Sequence, residues 1–181
     1  MVDLYVTPSI IQQFVLKPKW GLRAYYNTLL AIPGEDNYFT RTGRWIHDFL
    51  GFNNRQRFYK TVWFKYNGDD YILALEGTPD HINPLKELKT CSKNDPNLEK
   101  KIYAASVQLW GYMILTDCNY GYVSLADRKD REIFMEVYIE RNDKEFFNEV
   151  RRFYDALLNT RWFKFDDMLE VEEDKCSEKA I

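Results

Sequence analysis

A β-hairpin pattern in the middle of the chain limits the possible folds more than any other feature of the sequence. Residues 57–66 (RFYKTVWFKY) are rich in aromatic and β-branched residues, and residues 71–76 can return beside them across the turn Asn67-Gly68-Asp69-Asp70. An isolated hairpin is only marginally stable, so it must bury one face against other elements. The chain therefore contains an antiparallel sheet, and its other segments must supply the covering layer.

Helical patterns before and after the hairpin can supply that layer. Thr7-Pro8 predicts a helix start, because threonine caps helices and proline fits their first turn. The expected helices cover residues 7–14, 20–30, 40–50, 97–116 and 144–158. The remaining expected strands cover residues 80–82, 85–91, 120–126 and 132–140. This order predicts a mixed α/β (α+β) fold, with a central mixed sheet flanked by helices.

The third of these helices lies just before the hairpin. Thr40 or Thr42 can cap its start, and Gly51 follows its last turn as an expected end. The residues spaced to form its apolar side are Ile46, Phe49 and Leu50.

The composition is that of one globular domain. The 181 residues are 45% hydrophobic and 29% charged, and no apolar run approaches the 18 or so residues of a membrane span. The first residues lack the pattern of a signal peptide. We therefore expect a single domain over residues 1–165, in a cytoplasmic protein that does not associate with membranes.

Charge is divided unevenly along the chain. Residues 166–181 contain seven acidic and two basic residues, which predicts an acidic C-terminal tail. We interpret this tail as a solvated terminus; the alternative is a nucleic-acid mimic that folds back over a basic groove. The preceding 165 residues contain 23 basic and 21 acidic residues, although the net charge of the whole chain is −3. Net charge therefore does not exclude a nucleic-acid-binding function.

Two acidic residues in a second predicted hairpin, formed by the expected strands 80–82 and 85–91, have the clearest chemical pattern. A turn at Asn83-Pro84 places Asp80 opposite Glu87 on neighbouring strands, with about 5 Å between their Cβ atoms. Two carboxylates at this distance repel each other unless one is protonated or a cation is bound. The pair therefore predicts either a raised pKa or a cation site.

Lys89 adds a third charged group to this pair. Side chains alternate along a strand, so Lys89 shares a face with Glu87 while Leu88 points to the other face. Two carboxylates suit Mg²⁺ or Mn²⁺, which prefer oxygen ligands, and a lysine beside them can stabilise developing negative charge. The alternative is a surface hairpin on which Glu87 and Lys89 form a weak ion pair.

Further polar residues lie on the neighbouring predicted helices. Gln108 and Tyr112 are four residues apart, so they lie on one face of their helix. This face either packs beside the hairpin that carries Asp80 and Glu87, or the two residues are ordinary half-buried side chains. His47 is surrounded by apolar residues and is either a site residue or a histidine satisfied in the core. His81 is interpreted as facing solvent or substrate rather than as a metal ligand.

Four short segments follow one another in the order of the motifs of a known family. They are GRWIH ending at His47, GTPD ending at Asp80, ELK from Glu87 to Lys89, and QLWGY from Gln108 to Tyr112. Together they resemble the PD-(D/E)xK nuclease superfamily, specifically its RecB-like exonuclease branch, which includes CRISPR-associated nucleases with an iron–sulfur cluster. The opening segment TPSIIQQFVLKPKW is also similar, and the resemblance spans residues 7–140.

This resemblance implies a restriction-endonuclease-like core and phosphodiester hydrolysis by a metal-activated water. The implied ligands of Mg²⁺ or Mn²⁺ are His47, Asp80, Glu87 and the backbone carbonyl of Leu88. The implied catalytic residues are Asp80, Glu87 and the lysine Lys89. Gln108 and Tyr112 are implied to position the substrate or brace the site.

The cysteines depart from the pattern of the cluster-bearing relatives. Those relatives bind the cluster through one cysteine before an N-terminal proline and three near the C-terminus. Here Lys17 precedes Pro18, and the three cysteines are Cys91, Cys118 and Cys176. Four thiolate ligands cannot be assembled from one chain, so we expect no iron–sulfur cluster.

Basic and aromatic residues in the first quarter of the chain form the expected DNA contact region. Basic side chains can bind phosphates while exposed rings stack on unpaired bases, although the alternative is that most of these rings belong to the core. The basic residues are Lys17, Lys19, Arg23, Arg41 and Arg44, and the nearby aromatic residues are Trp20, Tyr25, Tyr26, Phe39 and Trp45.

These features together predict a metal-dependent DNA nuclease acting on single-stranded DNA or DNA ends. Exonuclease and endonuclease modes both stay open, as do a homo-oligomer and a protein partner. The alternative from a different class is a catalytically silent protein of the same fold that binds DNA or protein, for example as an inhibitor.

Overall fold

The computed structural model describes residues 3–32 and 38–159, with only the backbone of residues 38 and 39. The helices are α1 (Pro8–Leu16), α2 (Pro18–Leu29), α3 (Tyr38–Phe49), α4 (Leu98–Thr116) and α5 (Asp143–Asn159). The strands are β1 (Leu4–Val6), β2 (Phe58–Tyr66), β3 (Asp69–Gly77), β4 (His81–Ile82), β5 (Leu85–Cys91), β6 (Tyr120–Asp127) and β7 (Ile133–Glu140). The predicted mixed α/β class is confirmed. The acidic tail over residues 166–181, with Cys176, lies outside the described residues.

The seven strands form two mixed sheets where the sequence predicted one central sheet. The first sheet has the order β1-β3-β2, and the second has the order β4-β5-β6-β7. Strand β1 is parallel to β3 and β5 is parallel to β6, whereas the other neighbouring pairs are antiparallel. Pro79 lies between β3 and β4, and proline has no backbone N–H to extend the ladder of β3. The chain therefore leaves the first sheet there and begins the second at β4.

Helix α4 connects the two sheets through the core. Twelve consecutive residues, 104–115, are buried, as expected for a helix surrounded by other elements. The helix contacts β2 and β3 of the first sheet, β5 and β6 of the second, and helices α1 and α5. The side chains that α4 directs toward β5 are therefore held by the packing of the whole domain.

Helix α3 packs on the other face of the second sheet. Ile46 of this helix forms a small apolar cluster with Phe52, Leu88 and Ala126, separate from the main core. Leu88 thus points away from α4, as the alternation along β5 predicts. Neither predicted cap begins this helix, because α3 starts at Tyr38 and both Thr40 and Thr42 lie within it.

The first helices begin close to where the sequence predicted. The Thr7 hydroxyl caps α1 by accepting a hydrogen bond from the Ile10 N–H at 3.2 Å. Helix α2 begins earlier than predicted, at Pro18. Within the described ranges, no helix is both long enough and apolar enough to cross a membrane.

Candidate active site

The hairpin formed by β4 and β5 has the predicted register. His81 is opposite Lys86 and Ile82 is opposite Leu85. Asp80 directly precedes β4, and its Oδ2 accepts a hydrogen bond of 2.8 Å from the backbone N–H of Leu88 on β5. This bond holds the Asp80 carboxylate beside the strand that carries Glu87 and Lys89.

Glu87 is a buried carboxylate with one oxygen that lacks a hydrogen-bond partner. Its side chain is almost completely buried, at 2% exposed, and Oε2 has no partner, whereas Oε1 accepts from Lys89 at 2.7 Å. Burial raises the pKa of Glu87 to about 7; the Lys89 charge opposes this rise and the Asp80 charge adds to it. A buried polar atom without a partner is rare and unfavourable, so this oxygen points to a proton or a cation at the site.

Lys89 connects the hairpin to helix α4. Its ammonium group donates to Glu87 Oε1 and to Gln108 Oε1, both at 2.7 Å. The Gln108 amide in turn donates to the Tyr112 hydroxyl at 3.0 Å. Burial, followed by the charge of Glu87, raises the pKa of the Tyr112 phenol, so this hydroxyl stays protonated. The structure therefore joins Glu87, Lys89, Gln108 and Tyr112 in one polar chain.

Ser9 belongs to this polar chain, although the sequence analysis did not single it out. The Gln108 amide donates to Ser9 Oγ at 3.0 Å, and this hydroxyl lies 3.3 Å from the Tyr112 hydroxyl. Ser9 is in the first turn of α1, directly after Pro8. No local signal links it to Gln108, which lies 99 residues further along the chain.

Two glycines allow α1 to approach closely enough for this contact. A Cβ at Gly111 of α4 would lie 2.8 Å from both Pro8 Cγ and Phe146 Cε2. A Cβ at Gly77, at the end of β3, would lie 2.7 Å from the Tyr112 ring and 3.3 Å from Pro8 Cδ. Because Gly77 and Gly111 have no side chains, Pro8 packs directly against them. This packing brings Ser9, the next residue, within hydrogen-bond distance of Gln108.

We expect Gly111→Ala to destabilise the fold by about 1–3 kcal/mol, because the new methyl group would overlap with Pro8 and Phe146. Gly43→Ala is the matched control, since Gly43 is also inside a helix and its added Cβ would meet nothing closer than Thr90 Oγ1 at 3.8 Å. This control should be neutral, or stabilising by up to about 1 kcal/mol. Chemical denaturation measures both values, and equal effects would contradict the close approach of α1 to α4.

His47 lies at the edge of the carboxylate pair. Its Nδ1 is 3.3 Å from Asp80 Oδ1, and both side chains are partly exposed. This placement favours the site interpretation over a histidine satisfied in the core. His81 takes no part in the site, because its Nδ1 contacts the carbonyl oxygen of Pro84 at 2.8 Å.

The residues at this site have the chemistry of a divalent cation site. Asp80 and Glu87 offer carboxylate oxygens, which suit Mg²⁺ and Mn²⁺, and His47 offers an imidazole nitrogen, which Mn²⁺ accepts more readily than Mg²⁺ does. The unpartnered Oε2 of Glu87 is the observation that supports this fit. Nowhere in residues 3–32 and 38–159 are three acidic, histidine or cysteine side chains already grouped as a metal cluster.

The five basic residues predicted to contact DNA lie on or next to two helices. Lys17 directly precedes α2, Lys19 and Arg23 lie within it, and Arg41 and Arg44 are on α3. Trp20 and Trp45 are about half exposed, so these two rings are not core residues, whereas Tyr25 packs against the core. The side chain of Phe39 is outside the described part of the structure.

Comparisons with known proteins identify a fold and no family. No protein-family model and no curated protein matches the chain. The crystal structure of SSO0001 is similar with a TM-score of 0.52 and 13% identity, over 87% of this chain and 79% of that one. Rai1 from Scheffersomyces stipitis, solved with (3′-NADP)+ and a calcium ion, has a TM-score of 0.41 and 10% identity, over 87% of this chain and 59% of that one. The first likeness supports the mixed α/β fold alone, and the second is too distant to carry an argument.

Proposed function

We propose that this chain is a metal-dependent DNA nuclease of the PD-(D/E)xK type, related to the RecB-like branch, that hydrolyses phosphodiester bonds in single-stranded DNA or at DNA ends. The observation that carries the proposal is the position of Lys89, with its ammonium group between Glu87 Oε1 and Gln108 Oε1. This amine lies beside a buried carboxylate oxygen that has no partner. A cation site next to a fixed lysine is suited to a reaction in which negative charge develops on phosphate oxygens.

We assign a role to each residue of the proposed site. Asp80, Glu87 and His47 would hold Mg²⁺ or Mn²⁺, with the Leu88 carbonyl as a further ligand. Such an ion, when bound, lowers the pKa of a coordinated water and offsets the charge of a phosphate. Lys89 would orient the attacking water or stabilise the charge that develops on the phosphate. Gln108 fixes the Lys89 amine, and Tyr112 and Ser9 fix the Gln108 amide.

The test of this proposal is DNA cleavage by the full chain. We expect end-labelled single-stranded or double-stranded DNA to be cut with Mg²⁺ or Mn²⁺ and left intact with EDTA. Asp80→Asn should abolish cleavage, because it removes a ligand charge while keeping an oxygen that can accept from the Leu88 N–H. Asp48→Asn, at an exposed position on α3, is the control and should cleave normally. Intact substrate with both metals would contradict the proposal.

A catalytically silent binding protein is the second candidate function. The observation that favours it is the ion pair between Lys89 and Glu87 Oε1, which neutralises Glu87 without a metal. Under this hypothesis the native chain would bind DNA or a protein equally well with a divalent metal and with EDTA, and it would cut no substrate.

A further inference from the structure

An exposed stack of side chains lies on α3, outside the candidate active site. The rings of Trp45 and Phe49 are stacked, with centroids 5.3 Å apart and planes within 13° of parallel. The guanidinium carbon of Arg131, near the start of β7, lies 4.5 Å from the centroid of the Trp45 ring. We call these three residues the aromatic stack.

Folding alone does not account for the aromatic stack. Helix α3 packs on the second sheet through Ile46, whereas Trp45 and Phe49 are 46% and 63% exposed. The two rings are four residues apart, so they form one continuous apolar patch on the solvent side of the helix. Exposed apolar patches of this kind mark binding surfaces more often than isolated exposed residues do.

The two segments that carry the aromatic stack contain more basic than acidic residues. Arg41 and Arg44 are exposed on the same helix, although the net charge of the chain is −3. Arg128, Lys129 and Arg131 follow one another closely in the turn between β6 and β7 and just beyond it. The acidic residues in these two segments are Asp48, Asp130 and Glu132, and Asp130 binds Lys93 at 2.7 Å. The excess of basic residues in these segments favours a polyanionic ligand.

The backbone at Arg131 fixes the position of its side chain. Arg131 has a φ of +62°, in the left-handed region that side chains other than glycine, asparagine and aspartate seldom adopt. Its N–H donates to the carbonyl of Asp127 at 2.9 Å, which closes the turn. Here that conformation keeps a cation against the Trp45 ring.

We propose that the aromatic stack is the platform on which unpaired bases of single-stranded DNA stack, while the surrounding basic residues bind its phosphates. This inference rests on the proposed nuclease function and assigns the surface that selects its substrate. Base–ring stacking needs an accessible base face, and a duplex keeps those faces inside its own stack. The substrate class is therefore single-stranded DNA or frayed ends rather than intact duplex.

The test is DNA binding in EDTA, so that cleavage does not enter the measurement. Fluorescence anisotropy of a labelled single-stranded 20-mer and of a blunt duplex gives the dissociation constants of the full chain. We expect Trp45→Ala and Phe49→Ala each to weaken single-strand binding about fivefold to 100-fold, the range for losing one stacked base. Trp63→Ala is the matched control, because Trp63 is 66% exposed on β2 of the other sheet, and it should change binding less than about twofold.

Arg131→Gly distinguishes a binding role from a folding role. Glycine accepts a φ of +62° without strain, so this variant should fold at least as stably as the native chain and still bind the single strand more weakly. Unchanged single-strand affinity of the Trp45, Phe49 and Arg131 variants would overturn the platform, even if the native chain cuts DNA. If the native chain never cuts DNA but these variants lose single-strand affinity, the result would support the platform and contradict the nuclease function. Tight native binding of an acidic peptide, such as one copying residues 166–181, with no binding of DNA would overturn both proposals.

Discussion

Replacing Lys89 with methionine is expected to lower the rate of metal-dependent DNA cleavage by about 10²- to 10³-fold, the effect of losing one fixed donor to developing charge. The Lys89 amine is held at 2.7 Å from both Glu87 Oε1 and Gln108 Oε1, so it is fixed before any substrate arrives. Methionine keeps the length and apolar character of the side chain but cannot donate a hydrogen bond or carry charge. The single-turnover cleavage rate at saturating metal measures this effect.

Lys86→Met is the matched control for this substitution. Lys86 is on the same strand and is also ion-paired, with Glu136 at 2.8 Å, but its side chain points to the opposite face from Lys89. The control should therefore retain native cleavage. Near-native cleavage by Lys89→Met, or an equal loss in both variants, would remove Lys89 from the catalytic role.

The metal-free protein is expected to lose stability as the pH rises through neutrality, because of Glu87. Burial raises the pKa of this carboxyl to about 7 in the folded chain, above its ordinary value of 4.5. The folded state therefore binds the proton more tightly than the unfolded state does. The resulting stabilisation is complete below about pH 4.5, decreases as the pH rises, and is lost above about pH 7, for a total of a few kcal/mol.

The Glu87→Gln variant tests this pH dependence. Glutamine does not titrate, so the free energy of unfolding measured in EDTA should fall less steeply between pH 5 and pH 8 than that of the native chain. Adding Mn²⁺ at pH 8 should stabilise the native chain and leave the variant unchanged, because a cation favours the ionised carboxylate. Glu132→Gln, at an exposed position, should behave as the native chain does. Equal pH slopes for the native chain and Glu87→Gln would contradict the assignment.

The β4–β5 hairpin was the most predictable part of the site. Its register is set by a local turn at residues 83 and 84, so the pairing of His81 with Lys86 could be read from the sequence. The same register places Asp80 beside the strand that carries Glu87. Short-range geometry was sufficient here because only a few residues separate the partners.

Features that depend on distant contacts could not be predicted. Strand β1 is three residues long and exists because Leu4, Tyr5 and Val6 pair with β3, nearly seventy residues later. The contact between Ser9 and Gln108 depends on how α1 packs against α4, for which neither segment has a local signal. The parallel pairing of β5 with β6 likewise depends on the long return of the chain through α4.

Helix periodicity gave one misleading result. The spacing of Ile46, Phe49 and Leu50 predicted that all three would form the apolar side of their helix, and Phe49 is instead 63% exposed. Helix α3 packs against the sheet along a narrow line through Ile46, whereas helices in the middle of a domain bury a wider side. Periodicity identifies apolar residues on one side of a helix but does not show how much of that side is covered.

The burial of α4 also determines how the protein can lose its active-site geometry. Gln108 and Tyr112 lie within the twelve buried residues of this helix, which contacts both sheets. Local opening of a loop or a chain end would leave these two side chains in place, because they move only when the contacts of α4 with the two sheets are broken. The support of Lys89 is thus part of the cooperative unit that unfolds last, and exchange of the α4 amides with solvent should be governed by global unfolding.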